Sequence, residues 1–214
     1  IGEPLPYVLG HWEFYGLDFT VTYDVIIPLP ETELLVDQAR SWMSEHPGRR
    51  FALDIGTGSG CIAISLAVNI PNLVILAIDI SHPALRVATQ NAIQHKVAEQ
   101  VQTVAADLFP PTHKRFDLVC ANLPYIPTQR FRDSKIYGKE PDLSLDGGTF
   151  GLDLIDKMVN QAPKYLIEGG SMFFEIDASQ GKIVKNLAED AFPYANVNVL
   201  TDLAGRDRLV YIQT

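Results

Sequence analysis

From residue 51 to the C-terminus, short apolar runs alternate with longer amphipathic stretches, and this alternation dominates the chain. The runs are 51–56 (FALDIG), 73–80 (LVILAIDI), 101–107 (VQTVAAD), 116–122 (FDLVCAN), 171–177 (SMFFEID), 197–202 (VNVLTD) and 208–214 (RLVYIQT). Their nearly continuous apolar character is that of strands buried on both faces. Between them, 61–70, 83–96, 152–166 and 181–192 carry helical periodicity. Strands interleaved with helices predict an α/β chain with a mainly parallel sheet covered on both faces. The last two runs meet around LAG at 203–205, too short for a crossover helix, so that joint reads as a hairpin and the final strand as antiparallel.

Before residue 50 the pattern changes. The β-rich runs 11–16 (HWEFYG) and 18–27 (DFTVTYDVII) flank a glycine and predict a hairpin, which Pro28 and Pro30 then stop. Residues 31–46 have helical periodicity, with Thr32 as the expected cap. The division expected is a β-hairpin lead-in over 1–30 and a main domain over 31–214. Residues 123–150 are the one long stretch without a period, and connections of that length are usually functional.

Composition narrows the class. Ten Phe, eight Tyr and two Trp in 214 residues exclude a disordered chain, and no apolar run approaches the ~20 residues of a membrane span. The N-terminal residues have no basic start or apolar core of a signal peptide. Seventeen basic and 26 acidic residues give −9, which disfavours sequence-independent grip on a phosphate backbone. Cys61 and Cys120 lack metal-ligand spacing and read as free thiols of a reducing compartment, hence a cytoplasmic protein.

Three motifs carry chemistry, each at the end of an expected strand. LDIGTGSGC at 53–61 places Gly56, Thr57, Gly58, Ser59 and Gly60 where a strand turns into a helix. Such a turn lets a ligand approach the backbone, although glycine turns also occur as plain structure. The G-x-G-x-G spacing is not the dinucleotide G-x-G-x-x-G, and no G-K-[ST] follows for a nucleoside triphosphate. Asp79, 19 residues past Gly60, ends the second run and can accept both hydroxyls of a ribose; capping the next helix is its other reading, a role Ser81 can fill. Asp107 and Leu108 follow the third run and suit an adenine, with Phe109 adding apolar surface, although Asp107 also suits a helix cap. ANLPYIP at 121–127 ends the fourth. There the Asn122 side-chain oxygen and the Leu123 carbonyl can accept two N–H bonds of a planar amide or amine. Pro124 restricts the backbone and the Tyr125 ring can cover the flat face.

With these residues in view, the chain resembles the HemK/PrmC family, protein-(glutamine-N5) methyltransferases of peptide-chain release factors. The resemblance runs over nearly the whole length, through GEPLPYVLGHWEFYGLDFTV, IIPLPETELLV, LDIGTGSGC, AIDIS, ANLPYIP, EPDLSLDGGTFGLDLI, FFEIDASQG and DLAGRDRLV. It implies the class I S-adenosylmethionine-dependent methyltransferase (Rossmann-like) fold, a seven-stranded mostly parallel sheet with an antiparallel C-terminal strand. It also implies S-adenosyl-L-methionine as cofactor and, as acceptor, the glutamine of a release factor's Gly-Gly-Gln motif. Gly56, Thr57, Gly58, Ser59, Gly60, Asp79, Asp107, Leu108 and Asn122 would bind the cofactor. Asn122, Leu123, Pro124 and Tyr125 would orient the acceptor, with no metal and no membrane partner. The family's helical domain would precede residue 1, leaving 1–30 as its linker.

Two positions depart from the family pattern: Leu123 stands where the motif has a first proline, and Leu29 where an Arg lies between two prolines. The acceptor carbonyl survives at Leu123, with preorganisation looser by about 0.5–1 kcal/mol. Two other functions use similar residues. An enzyme methylating an exocyclic amine of a DNA or RNA base would need a basic channel, for which the KRF segment at 114–116, Arg130, Arg132, Lys135 and Lys139 are the candidates. A cofactor-binding protein without catalysis is the third.

Overall fold

The computed structural model describes residues 2–134 and 136–214. A short helix α1 (Leu5–Leu9) leads into a hairpin of β1 (His11–Phe14) and β2 (Leu17–Thr20). Then follow α2 (Glu33–Glu45), β3 (Phe51–Ile55), α3 (Cys61–Asn69), β4 (Val74–Asp79), α4 (His82–Gln94), β5 (Val101–Ala105) and β6 (Phe116–Ala121). The chain closes with α5 (Thr128–Arg132), α6 (Asp153–Gln161), β7 (Leu166–Glu175), α7 (Gly181–Ala191), β8 (Asn196–Thr201) and β9 (Asp207–Gln213). Among the described residues no helix is long and apolar enough to cross a membrane.

The seven runs after residue 50 form one sheet in the order β5-β4-β3-β6-β7-β9-β8. All pairings from β5 to β7 are parallel, and β9 pairs antiparallel with both β7 and β8. The antiparallel strand is therefore last in sequence but lies inside the sheet. Burial on both faces explains the apolar runs: from Ala52 to Ile55 every β3 side chain is buried. One face is covered by α2, α3 and the hairpin, the other by α6 and α7. Phe14 and Phe19 of the hairpin are fully buried in the first of these layers.

Two local expectations are corrected. The second hairpin strand ends at Thr20 rather than continuing to Ile27. The buried Asn91 of α4 takes over the backbone there, accepting from Thr20 N–H (2.9 Å) and donating to its carbonyl (3.0 Å). Val21 and Val25 then turn inward beside Tyr7. Thr32, expected as the cap of α2, has helical φ/ψ and makes no capping bond; its hydroxyl goes instead to Glu175 (2.7 Å).

Chain order reverses between β3 and β6, since β4 and β5 extend one way and β6 and β7 the other. At such a switch point the loops after neighbouring strands diverge and leave a crevice at the strands' C-terminal ends. Ile55, Asp79, Ala105 and Ala121 end the four strands beside it.

Candidate active site

The loop after β3 forms one wall of the crevice. Gly56, Gly58 and Gly60 all have positive φ (69°, 55° and 83°). A Cβ on Gly58 would project into open space, the free side along which a ligand can pass, whereas one on Gly56 would meet Leu123 Cδ2 at 2.9 Å. Gly56 and Gly58 line the cleft; Thr57, Ser59 and Gly60 do not. These three hold the turn's shape. The Thr57 hydroxyl donates to Asp54 (2.6 Å), the Ser59 carbonyl accepts from Asn91 (2.8 Å), and Gly60 precedes α3 in the left-handed region. Asp54 is fully buried, and among the described residues no hydrogen bond within normal geometry reaches its other oxygen. Burial drives its carboxyl up to about 7, against the opposing bonds from Thr57 and the Ala63 backbone.

Asp79 ends β4 and lines the cleft. One oxygen accepts from Gly58 N–H (3.0 Å) and the other from Ser81 N–H (2.8 Å). Each keeps a further lone pair, so the carboxylate braces the glycine turn and still has two acceptor sites for a diol. The capping of α4 falls to Ser81, whose side chain accepts from Ala84 N–H (3.3 Å). Ile80 lines the cleft although half exposed, an apolar side chain offering a flat face beside Asp79. Asp107 and Leu108 line it after β5, with Leu108 held at φ 62°. A leucine in that region costs roughly 1–3 kcal/mol and marks a constrained position.

After β6 come Asn122, Leu123, Pro124 and Tyr125, all lining the same cleft. Asn122 Nδ2 donates to Thr32 Oγ1 (3.0 Å), and Tyr125 donates its hydroxyl to Glu175 Oε1 (2.9 Å). The loop is braced from the far side by buried Gln180, whose amide donates to the carbonyls of Tyr125 (3.0 Å) and Gly151 (3.1 Å). Gly151 packs so closely that a Cβ there would overlap the Tyr125 carbonyl oxygen. The loop's two ends thus come together, with a parallel bridge between Ile126 and Asp146.

Glu175 is 1% exposed, and Arg208 Nη1 lies 3.9 Å from its Oε1. Burial pushes the Glu175 carboxyl above the usual range, opposed by the Thr32 and Tyr125 bonds and by the Arg208 charge. Burial and the Glu175 charge likewise raise the Tyr125 phenol far above its ordinary value. Tyr125 is therefore a neutral ring with its proton committed.

The enclosed volume is about 350 Å³, within the range of small-ligand sites. Among the described residues its charged lining side chains, Asp24, Asp79, Asp107 and Glu140, are all acidic. Of the basic residues singled out in the sequence, Arg130 pairs with Asp177 (2.9 Å), and Lys114 lies 5.6 Å from the centre of the Phe51 ring. Phe116 of the same KRF segment is buried in β6, and Lys139 lies beside Gly2. Lys135 lies outside the described residues. Ile80, Glu175, Gln180 and Arg208 carry no signal singled out in the sequence, and Thr32 stood out there only as a helix cap. A carboxylate directly after the apolar MFF of the run SMFFEID was the available signal for Glu175.

A doubly wound sheet with an internal antiparallel strand and a glycine turn facing an Asn-x-Pro-Tyr loop defines a methyltransferase of the class I type. The family described as "Methyltransferase small domain" matches residues 31–136. The solved N-terminal domain of human METTL16 in complex with SAH superposes with a TM-score of 0.64 at 14% identity, over 92% of this chain and 76% of that one. Among curated relatives, the release factor glutamine methyltransferase of Moorella thermoacetica is 41% identical over 97% of this chain and 74% of its own. That of Bacillus cereus is 37% identical over 99% and 77%. The chain belongs to the release factor glutamine methyltransferase family.

Proposed function

We propose that this chain transfers a methyl group from S-adenosylmethionine to the side-chain amide nitrogen of the Gly-Gly-Gln glutamine of a peptide-chain release factor, acting in the cytoplasm. The arrangement of Asn122 carries the reading. Its Nδ2 is occupied by Thr32, and among the described residues neither its Oδ1 nor the Leu123 carbonyl has a partner. Two acceptors beside the cleft match the two N–H bonds of a carboxamide.

The residues present fit the cofactor. Gly58 leaves open space where a ligand can lie against the turn, Asp79 keeps two lone pairs for ribose hydroxyls, and Ile80 and Leu108 offer apolar surface for a purine. Asp107 would reach the exocyclic amine. When bound, S-adenosylmethionine supplies an electrophilic methyl group on a sulfonium.

The protein's own part is orientation. An amide nitrogen is a weak nucleophile because its lone pair is delocalised into the carbonyl. Acceptance of both N–H bonds by Asn122 Oδ1 and the Leu123 carbonyl fixes the nitrogen and favours positive charge developing on it. The Tyr125 ring covers the amide face and, with Leu123 and Pro124, excludes water. As the nitrogen–methyl bond formed, the methyl–sulfur bond would break, and the methylated amide, a far stronger acid than water, would give up its surplus proton to solvent as the product leaves. Neutral acceptors therefore suffice, and no nucleophilic side chain and no covalent intermediate is needed.

The acidic lining also disfavours a polyphosphate acceptor. Transfer of labelled methyl from the cofactor should be measured in three reactions, with a release factor, with nucleic acid and with neither. Label in the release factor alone is expected. Label in nucleic acid alone would overturn the acceptor assignment, and no label in any reaction would overturn catalysis.

A further inference from the structure

A buried relay connects the acceptor loop to two segments remote from it in sequence. Thr32 precedes α2 and Glu175 ends β7, 143 residues later, and both are at most 2% exposed. The Thr32 hydroxyl gives its proton to Glu175 Oε2 (2.7 Å) and receives Asn122 Nδ2 at 3.0 Å. The other Glu175 oxygen takes the Tyr125 hydroxyl (2.9 Å). One carboxylate therefore holds both polar side chains of the Asn-Leu-Pro-Tyr loop, one directly and one through a hydroxyl.

The direction of this chain matters more than its presence. Glu175 accepts at both oxygens, from Thr32 at one and Tyr125 at the other, so the Thr32 proton points to Glu175 and Thr32 presents a lone pair to Asn122. That lone pair demands the NH₂ side of the amide. Turned over, Asn122 would set its oxygen against the Thr32 oxygen and its NH₂ toward the N–H bonds of the acceptor. We propose that Glu175 and Thr32 are positioning residues that fix the hydrogen-bond polarity of Asn122, keeping Oδ1 turned to the acceptor amide. The inference rests on the reading of Asn122 as an acceptor of the target N–H.

Arg208 completes the device. Its guanidinium lies against Glu175 (3.9 Å) and Asp202 (3.4 Å), a positive charge that favours the ionised carboxylate and so opposes the effect of burial. A protonated Glu175 could donate to Thr32 and reverse the relay, so the cation protects its direction.

The test measures methyl transfer to a release factor at saturating cofactor, with cofactor affinity and thermal unfolding followed alongside. Thr32→Val is expected to lower kcat roughly 10- to 100-fold with cofactor affinity unchanged, as loss of a side chain that orients a functional group typically does. Thr32→Ser keeps the hydroxyl and should restore most of the rate. Glu175→Gln keeps the shape but places a donor at one of its two bonds, and should fall in the same range as Thr32→Val. In an Asn122→Ala background Thr32→Val should add almost nothing, because the residue it orients is gone. Thr32→Ala replaces Thr32→Val if the valine variant does not fold. An equal fractional loss in both backgrounds would overturn the relay, as would a folded Thr32→Ser variant as slow as Thr32→Val. Failure of the underlying site reading looks different: Asn122→Ala alone would then turn over like the unmodified protein.

Discussion

Replacing Asp79 by Ala separates its bracing of the glycine turn from the ribose contact proposed for it. In the protein alone it accepts from Gly58 N–H at 3.0 Å and Ser81 N–H at 2.8 Å. Removing both acceptors exposes the two donors to water in a partly open cleft, at about 1–3 kcal/mol. A domain of this size loses roughly 2–4 °C of Tm per kcal/mol, so melting should fall by about 5 °C. The binding role adds to this. Hydrogen bonds to a charged acceptor contribute about 1.5–3 kcal/mol, so their loss should weaken S-adenosylmethionine roughly 10- to 150-fold. Calorimetric titration well below the melting temperature reads the second effect free of the first, because nearly all protein is then folded. A lower Tm with unchanged affinity would show that Asp79 only braces the turn, and the ribose assignment would fall.

Three other perturbations probe the rest of the site. Asn122→Ala should leave cofactor affinity nearly intact and cut turnover by about 10²–10³, or 2.7–4 kcal/mol, the usual effect of removing an oriented transition-state partner; single-turnover rates with a release factor measure it. Gly151→Ala should lower turnover at least about 10-fold with cofactor binding preserved, because φ is 73° there and the added carbon displaces the Tyr125 carbonyl. Asp54 should make the cofactor-free protein less stable as pH rises. Its folded carboxyl titrates near 7 and its unfolded one near 4, so the folded state holds the extra proton between those values. Stability is lost through that window and levels off above it, by an amount on the order of a few kcal/mol. Urea unfolding at both ends of the window, compared with Asp54→Asn, isolates this slope; identical slopes would contradict it.

Much of this architecture is legible in local sequence because parallel strands buried on both faces leave unbroken apolar runs. All seven runs became strands, and the short LAG joint gave the antiparallel direction of β9. Its insertion between β7 and β8 could not be read, since direction follows from loop length but neighbour order does not. The premature end of β2 escaped for a similar reason: the side chain that ends it, Asn91, lies 71 residues away. At the site, Asp79 and Asn122 announce themselves by specific side chains at strand ends, and Gly58 by the lack of one in the turn after β3. Thr32 misled because a threonine before an amphipathic run is the usual sign of a helix cap. Its actual partner is set by tertiary packing against β7. Leu123 replaces a proline yet lies buried against Gly56, so the substitution exchanges backbone restriction for apolar contact.

The central claim is that the nitrogen methylated is a glutamine amide. It is tested most directly by mass spectrometry of a release factor incubated with the protein and isotopically labelled S-adenosylmethionine. The added methyl should map by fragmentation to the side chain of the Gly-Gly-Gln glutamine and be lost with Asn122→Ala. A label on any other residue, or one that persists undiminished in that variant, would contradict the account.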